Sequence, residues 1–361
     1  MKKFIFICIF TFISFYSFSQ GCVAIKSNGM VCTMQHEQNK QNWQLNVSYR
    51  YFKSFRHFNG TVEQTDRIEN NTEVINHQHS LNYTLSRKLN KRWSIALDFP
   101  IVSNSRSSLY EHYGNSSTSP NARQSTHSFG IGDLRVSGYY TVFDAEKFKK
   151  GNIQLGFGIK LPTGDYKYQD YFHKNDTTLV MAPVDQSIQL GDGGTGFTTE
   201  VNGHYNFSKH LSVYGNFYYL FNPREQNGVS TQRGNIPTAL TILSNSDVMS
   251  VTDQYLIRAG ANFSFKRLSV SAGGRMECVP VYDLIGGSNG FRRPGYVISV
   301  EPGMVYEFKK FTAFATVPIA LKRDRTQSVS DKIKTTLTGV YTQGDAAFAD
   351  YTINAGMYIN F

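Results

Sequence analysis

Short connections alternate with long ones along the whole length of this chain, and the segments between them repeat with a period of two. Gly151 to Thr163 shows the pattern most clearly. Ile153, Leu155, Phe157, Ile159 and Leu161 fall on one face, and Asn152, Gln154, Gly156, Gly158 and Lys160 on the other. A strict period of two with one wholly apolar face is the signature of a β-strand. The same alternation recurs at Trp43–Tyr51, Trp93–Ile101, Leu134–Val142, Phe197–Phe207, Leu211–Phe221, Tyr255–Phe265, Leu268–Cys278, Tyr296–Phe308, Phe311–Leu321 and Tyr351–Phe361, with a poorer copy through Leu81, Tyr83 and Leu85. That is about twelve strands, an even number as bacterial single-chain barrels have.

The connections sort by length and chemistry. Arg87–Arg92, Asp144–Lys150, Ser208–His210, Lys266-Arg267 and Lys309-Lys310 are short and basic. Ser54–Ile75, Ser103–Ser128, Gly164–Asp192, Asn222–Ser250, Pro280–Arg293 and Lys322–Asp350 are long and polar. Turns on one side and loops on the other are the arrangement of a transmembrane barrel, and a soluble sandwich has no reason to adopt it. An antiparallel all-β transmembrane barrel is therefore expected, with short periplasmic turns, long extracellular loops and both termini on the periplasmic side.

The amino terminus agrees with export. Lys2 and Lys3 precede an apolar run from Phe4 to Phe18 and small residues at Ser17 and Ser19, which reads as a signal peptide over residues 1–19. The run falls short of the roughly 20 residues a spanning helix needs. Cys8 leaves with the leader. In an oxidising compartment Cys22 and Cys32 are expected to form a disulfide, although Met30, Cys32, Met34 and His36 alternate as a Cu(I) ligand set would, and Cys22 is a conceivable lipidation point. Residues 20–41 form a periplasmic or plugging segment ahead of a barrel over residues 42–361. Cys278 is left as a small hydrophobe on the lipid face.

The net charge of +10 is concentrated in the short turns. That placement suits anionic headgroups and gives no contiguous patch for nucleic acid. If the apolar positions meet lipid, the intervening ones meet the lumen, and most of those are Ser, Thr, Asn, Gln and Gly. The charged lumenal positions are Arg50, Asp98, Asp133, Arg135, Lys160, Glu200, Arg258, Arg275, Glu277 and Glu301, with His204 beside them. Counted from the nearest short turn, nearly all stand about six to eleven residues up, which at roughly 3.3 Å per residue and a tilt near 40° is a belt at mid-height and above. Such a belt is either an internal salt-bridge network or a constriction that selects solutes.

No metalloprotease helix or phosphate loop is present. His127-Ser128-Phe129 and Ser208-Lys-His210 do not reproduce the lipase arrangement of a barrel phospholipase, so no enzyme, cofactor or metal is assigned. Gly191-Asp-Gly-Gly-Thr-Gly196 reads as a flexible run from loop into strand, because no helix follows it to hold a phosphate. The third long loop carries Asp165, Asp170, Asp176, Asp185 and Asp192, which leaves cation binding open but matches no calcium-loop spacing.

Asn354-Ala-Gly356-Met-Tyr-Ile359-Asn-Phe361 resembles the terminal strand by which outer-membrane barrels are recognised by the barrel assembly machinery. Phe129-Gly-Ile-Gly-Asp133, Lys160-Leu-Pro-Thr-Gly164-Asp165 and Gly191–Gly196 resemble the outer-membrane barrel family named for the MetA pathway of phenol degradation. Gln20-Gly-Cys22 and the Cys22–Cys32 segment resemble the mature start of Bacteroidetes barrel proteins. The resemblance implies an outer-membrane channel or transporter of undefined small solute, in contact with outer-membrane lipid. The alternative is a non-conducting barrel that acts as scaffold, adhesin or receptor through its long loops.

Overall fold

The computed structural model describes residues 42–361. The leader, Cys22, Cys32, Met30, Met34, His36 and the 20–41 segment lie outside the described residues. Twelve antiparallel strands close into one barrel. They are β1 (Trp43–Asn59), β2 (Ile75–Lys88), β3 (Trp93–Ser108), β4 (Gln124–Ile131 continued by Leu134–Thr141), β5 (Gly151–Leu161) and β6 (Gly196–Asn206). The second half comprises β7 (Leu211–Phe221), β8 (Gln254–Phe265), β9 (Leu268–Val279), β10 (Gly295–Glu307), β11 (Thr312–Thr316 and Ile319–Asp324) and β12 (Ala346–Asn360). Each pairs with the next, and β12 returns to β1 from Gln44↔Asn360 up to Phe58↔Ala346, so the described sheet leaves no edge for lipid to desolvate.

The outward positions are those of the sequence pattern. Phe157 is 63% exposed and Ile153, Ile159, Leu97 and Ile257 are exposed beside it, while their inward neighbours are mostly buried. A protein that met only water would leave this apolar band uncovered. At the short-turn end the band closes on an aromatic girdle, in which Trp93 meets Tyr140, Tyr205 meets Phe207, and Phe308 stacks on Phe311. Rings with a polar edge suit that depth of a bilayer.

Several strands outrun the apolar pattern. β3 continues to Ser108 and β4 begins at Gln124, ahead of its apolar stretch. Beyond Ile101 the outward positions of β3 are Ser103, Ser105 and Ser107, so the ladder rises past the apolar band without the alternation that marks it. Two strands are broken: β4 at Gly132-Asp133 and β11 at Val317-Pro318, where proline has no N–H to donate to the ladder.

In the last strand Arg50 Nε donates to Asn354 across the β1–β12 seam at 3.0 Å. The Phe314 ring lies where a side chain on Gly356 would stand, Ile359 pairs with Leu45, and Phe361 exchanges backbone hydrogen bonds with Trp43. Cys278 has the outward orientation but is only 1% exposed, because Tyr219 and Tyr255 pack over it. It is a buried packing residue and does not face lipid.

Candidate functional site

The inward faces of β8 to β10 carry the densest part of the charged belt. Arg258 and Arg275 stand opposite each other in the β8–β9 register. Glu301 on β10 joins them: Arg258 Nε donates to it at 2.9 Å, and Arg275 approaches it at 3.5 Å while donating to Glu277 at 2.7 Å. All but Glu277 are at most 5% exposed, so each charge is held by its partners more than by water.

Across the lumen the belt is built differently. Asp98 and Arg135 are register partners on β3 and β4; Thr84 donates to Asp98, and Arg135 donates to the hydroxyl of Tyr218 at 2.8 Å. Glu200 receives Tyr139, Asn202 and Asn216. Among the described residues no cation forms a salt bridge with Glu200, so neutral donors hold it. Arg50 sits at the β1–β12 seam, and His204 lines the cavity below the belt.

Sequence reasoning missed the aromatic groups of the lumen. Tyr139, Tyr214, Tyr218, Phe314 and Tyr358 all point inward and are buried. They fit because small residues lie opposite them. A Cβ on Gly156 would stand 2.7 Å from Tyr139, and one on Gly260 or Gly273 would stand 2.6 Å from the Tyr214 hydroxyl. Inward glycines facing inward tyrosines one or two strands away are the signal that was available. Beneath this layer a cavity of about 370 Å³ runs to the short turns, walled by Thr84, Asn152, Gln154, Asn202 and Asn216 and roofed by Glu200 and Arg258.

Asp133 and Lys160 do other work. The loop between β5 and β6 (162–195) turns inward, and Asp133 grips both of its feet. Its carboxylate receives the Gly164 amide at 3.0 Å and the Asp192 amide at 3.3 Å, and Lys160 bridges Asp133 and Asp192. The two feet touch: a Cβ on Gly164 would lie 2.6 Å from the Leu190 carbonyl, and one on Gly191 would lie 2.4 Å from Asp133. The three glycine-rich motifs are thus one device, a pinched neck. Gly193 and Gly194 are buried in it, which corrects the expectation of a flexible run into β6.

Above the neck the loop lies inside the barrel. Gln78, Asn104 and Ser128, inward residues of β2, β3 and β4, donate to the carbonyls of Ser187 and Ile188. Asp185 is clasped by Arg293 at 2.6 Å and Arg233 at 3.1 Å, with Arg106 at 3.6 Å; Glu111 takes Arg106 at 3.0 Å and Arg233 at 2.8 Å. Burial acts to raise the Asp185 carboxyl, but Arg106 and Arg293 hold it well below the usual carboxylate range. Glu111 is held down in the same way by Arg106 and Arg233 against its burial. The other aspartates of this loop disperse: Asp170 contacts His127, Asp176 accepts from Tyr113, Asp165 caps Lys167, and Asp192 binds Lys160. They do not converge on a cation.

No protein-family model matches this chain, and no curated protein matches it. Among solved structures it is similar to the COG4313 outer membrane channel from Pseudomonas putida F1, at 10% identity over 91% of this chain and 98% of that one, with a TM-score of 0.54. The P. putida toluene transporter TodX aligns at 11% identity over 95% and 96% with a TM-score of 0.45, and a KdgM porin at 8% over 88% and 99% with 0.39. At these identities the likeness is one of architecture, and this chain has the barrel fold of the P. putida channel.

Proposed function

We propose that this chain is an outer-membrane channel that passes small solutes through its lumen, with the short turns in the periplasm and the long loops outside. The observation that carries the reading is a polar interior, with a cavity beneath the charged belt and another at the loop end, inside a cylinder whose exterior is apolar. Such a construction answers two solvents at once, lipid outside and water inside. The belt of Arg50, Asp98, Arg135, Glu200, Arg258, Arg275, Glu277 and Glu301, with His204 below it, lines the narrow part of the path and selects solutes by charge. The β5–β6 loop, anchored through Asp133 and Lys160, narrows the outer half.

The resemblance to the phenol-pathway family rests on the motifs that form the loop neck. It therefore supports a shared way of folding a loop inward and assigns no phenol to this chain. The β1–β12 seam, ending at Phe361, is the edge we assign to recognition by the barrel assembly machinery.

Liposome swelling with sugars and amino acids of graded size tests the proposal. The channel reading expects swelling that falls off with solute size. A second reading has one observation behind it: the belt and the mouth are both closed by buried ion pairs, as suits a non-conducting scaffold. Liposomes that hold folded protein yet never swell with any solute would favour that reading.

A further inference from the structure

On the outer wall of β1, β2 and β3 the side chains change character where the apolar stretch ends. Tyr49, Leu81 and Ile101 form its last row. Above them stand Tyr51, His79 and Ser103, and one row higher Lys53, His77 and Ser105. Lys53 lies ten residues above Trp43 at the foot of β1, which at roughly 3.3 Å per residue and a tilt near 40° is about 25 Å, the height of a barrel's apolar band. The two upper rows therefore meet lipid headgroups on the long-loop side. We propose that they bind the phosphate of a membrane lipid in that leaflet, one whose headgroup carries a phosphate monoester. This goes beyond the channel reading and does not need the barrel to conduct.

The donors are fixed before a ligand arrives. The Tyr49 hydroxyl lies 2.7 Å from Nδ1 of His79, and the Tyr51 hydroxyl 3.0 Å from Nδ1 of His77. With the phenol donating, each Nδ1 is the acceptor of a neutral imidazole, and the hydrogen sits on Nε2, which points away from the tyrosine. Neither Nε2 has a hydrogen-bond partner among the described residues. The Tyr51 ring packs beside both imidazoles, with centroids 4.8 Å from His79 and 6.2 Å from His77, so the two rings are held in place. Lys53 is exposed, and its ammonium rests 4.6 Å from the centre of the Phe55 ring.

Charge and setting both favour a phosphate carried on a lipid. No residue of the two upper rows is acidic. Among the described residues Lys53 and His79 are the charged neighbours that act on His77, and no carboxylate does so. The next outward residue along the row is His127, which Asp170 contacts at 3.6 Å, so opposing charge begins outside the site. One ammonium and two N–H groups match the three terminal oxygens of a phosphate monoester, and the ammonium contact is charge-assisted. The hydroxyls of Ser103 and Ser105 add donors at the same level. Below them Tyr49, Leu81 and Ile101, then Val47, Tyr83 and Phe99, give an acyl chain an apolar wall. A free phosphate forgoes that contact, which assigns the site to a lipid.

Native mass spectrometry of the folded mature protein in detergent tests the site. Lipid is titrated as dimyristoyl phosphatidic acid, a phosphate monoester, and as phosphatidylcholine with the same chains, each with and without equimolar inorganic phosphate. We expect one phosphatidic acid per barrel to stay bound where phosphatidylcholine has dissociated, and inorganic phosphate not to displace it. Lys53→Gln should weaken phosphatidic acid about fivefold, the worth of one basic residue at a headgroup, while Lys53→Arg retains it. His77→Phe combined with His79→Phe should weaken it as well, and Lys309→Gln, in a short turn at the other end, should bind as wild type. Unboiled gel mobility checks that each variant is folded, and the exposed Lys53 side chain can be changed without touching the ladder. Equal retention of the two lipids, displacement by inorganic phosphate, or wild-type affinity in Lys53→Gln would each overturn the proposal. An equal loss in Lys309→Gln would overturn it too, by placing the lipid at the basic turns.

Discussion

Asp133 receives the backbone amide of Gly164 at 3.0 Å, and the same carboxylate receives the amide of Asp192, at the other foot of the loop that Gly164 begins. One side chain at a strand break therefore ties both ends of the lumenal loop to the barrel wall. Replacing it with alanine removes two charge-assisted hydrogen bonds and leaves Lys160 with Asp192 alone. A loss of about 2–4 kcal/mol of loop stability is expected, with the barrel intact. Asp133→Ala should raise conductance and expose residues 164–192 to limited proteolysis, measured against the unboiled gel mobility of the folded barrel. An unaltered cleavage pattern would show that the neck does not depend on Asp133.

Glu301 is the shared carboxylate of Arg258 and Arg275, and it is 1% exposed. Glu301→Gln leaves two buried guanidiniums with Glu277 as the remaining carboxylate partner in this group, which costs about 3–5 kcal/mol by the usual penalty for breaking a buried pair. A lower denaturation midpoint in detergent is expected, together with a reversal potential shifted toward anions. The double replacement of Arg258 and Arg275 by glutamine should shift selectivity the other way. Identical reversal potentials in all three proteins would remove these residues from the solute path.

The sequence carried the barrel because lipid selects one face of every strand, and a period of two is visible without any partner. The two-residue turn Lys266-Arg267 sets the β8–β9 register that places Arg258 opposite Arg275. The sequence did not carry the loops. The clasp of Asp185 by Arg106, Arg233 and Arg293 joins residues 48 to 108 positions apart, or 79 in the case of Arg106, and no local pattern ties them. Asp133 shares the parity of Arg135, so alternation alone put it on the lumen wall, whereas the break at Gly132 turns it toward the loop feet. The inward tyrosines were overlooked because a residue-by-residue reading counts glycine as polar space instead of room for a neighbouring ring.

Acid should open the mouth. His112 is pushed down to about 4, chiefly by burial, and its Nδ1 accepts the His173 amide at 3.1 Å. Around it stand Glu111, Asp170, His173 and Lys174. A freed His112 takes its proton near pH 6.5, so the closed loop binds fewer protons than the open one between that value and about 4. Its stability falls as pH drops through this window. Asp185 and Glu111 act in the same direction at lower pH, because carboxyls held below their usual range support the closed form only while ionised. Open probability should rise between pH 7 and 4, and His112→Asn should remove the upper part of that rise. A current indifferent to pH would contradict the clasp as a gate.

Tyr214 lies over Gly260 and Gly273 and borders the cavity beneath the belt. Tyr214→Ala should widen this level and raise conductance without moving the reversal potential, since no charge changes. Gly260→Val should disturb the packing by placing a side chain where the Tyr214 hydroxyl now stands, and should slow folding into detergent. Wild-type currents from Tyr214→Ala would show that the narrowest level lies elsewhere.

Single-channel recording of the purified mature protein in a planar lipid bilayer bears on the central claim most directly. A water-lined path through a lipid-embedded cylinder predicts discrete current steps, larger in Asp133→Ala than in wild type. A bilayer that stays silent for both proteins, with folded barrel demonstrably inserted, would contradict it.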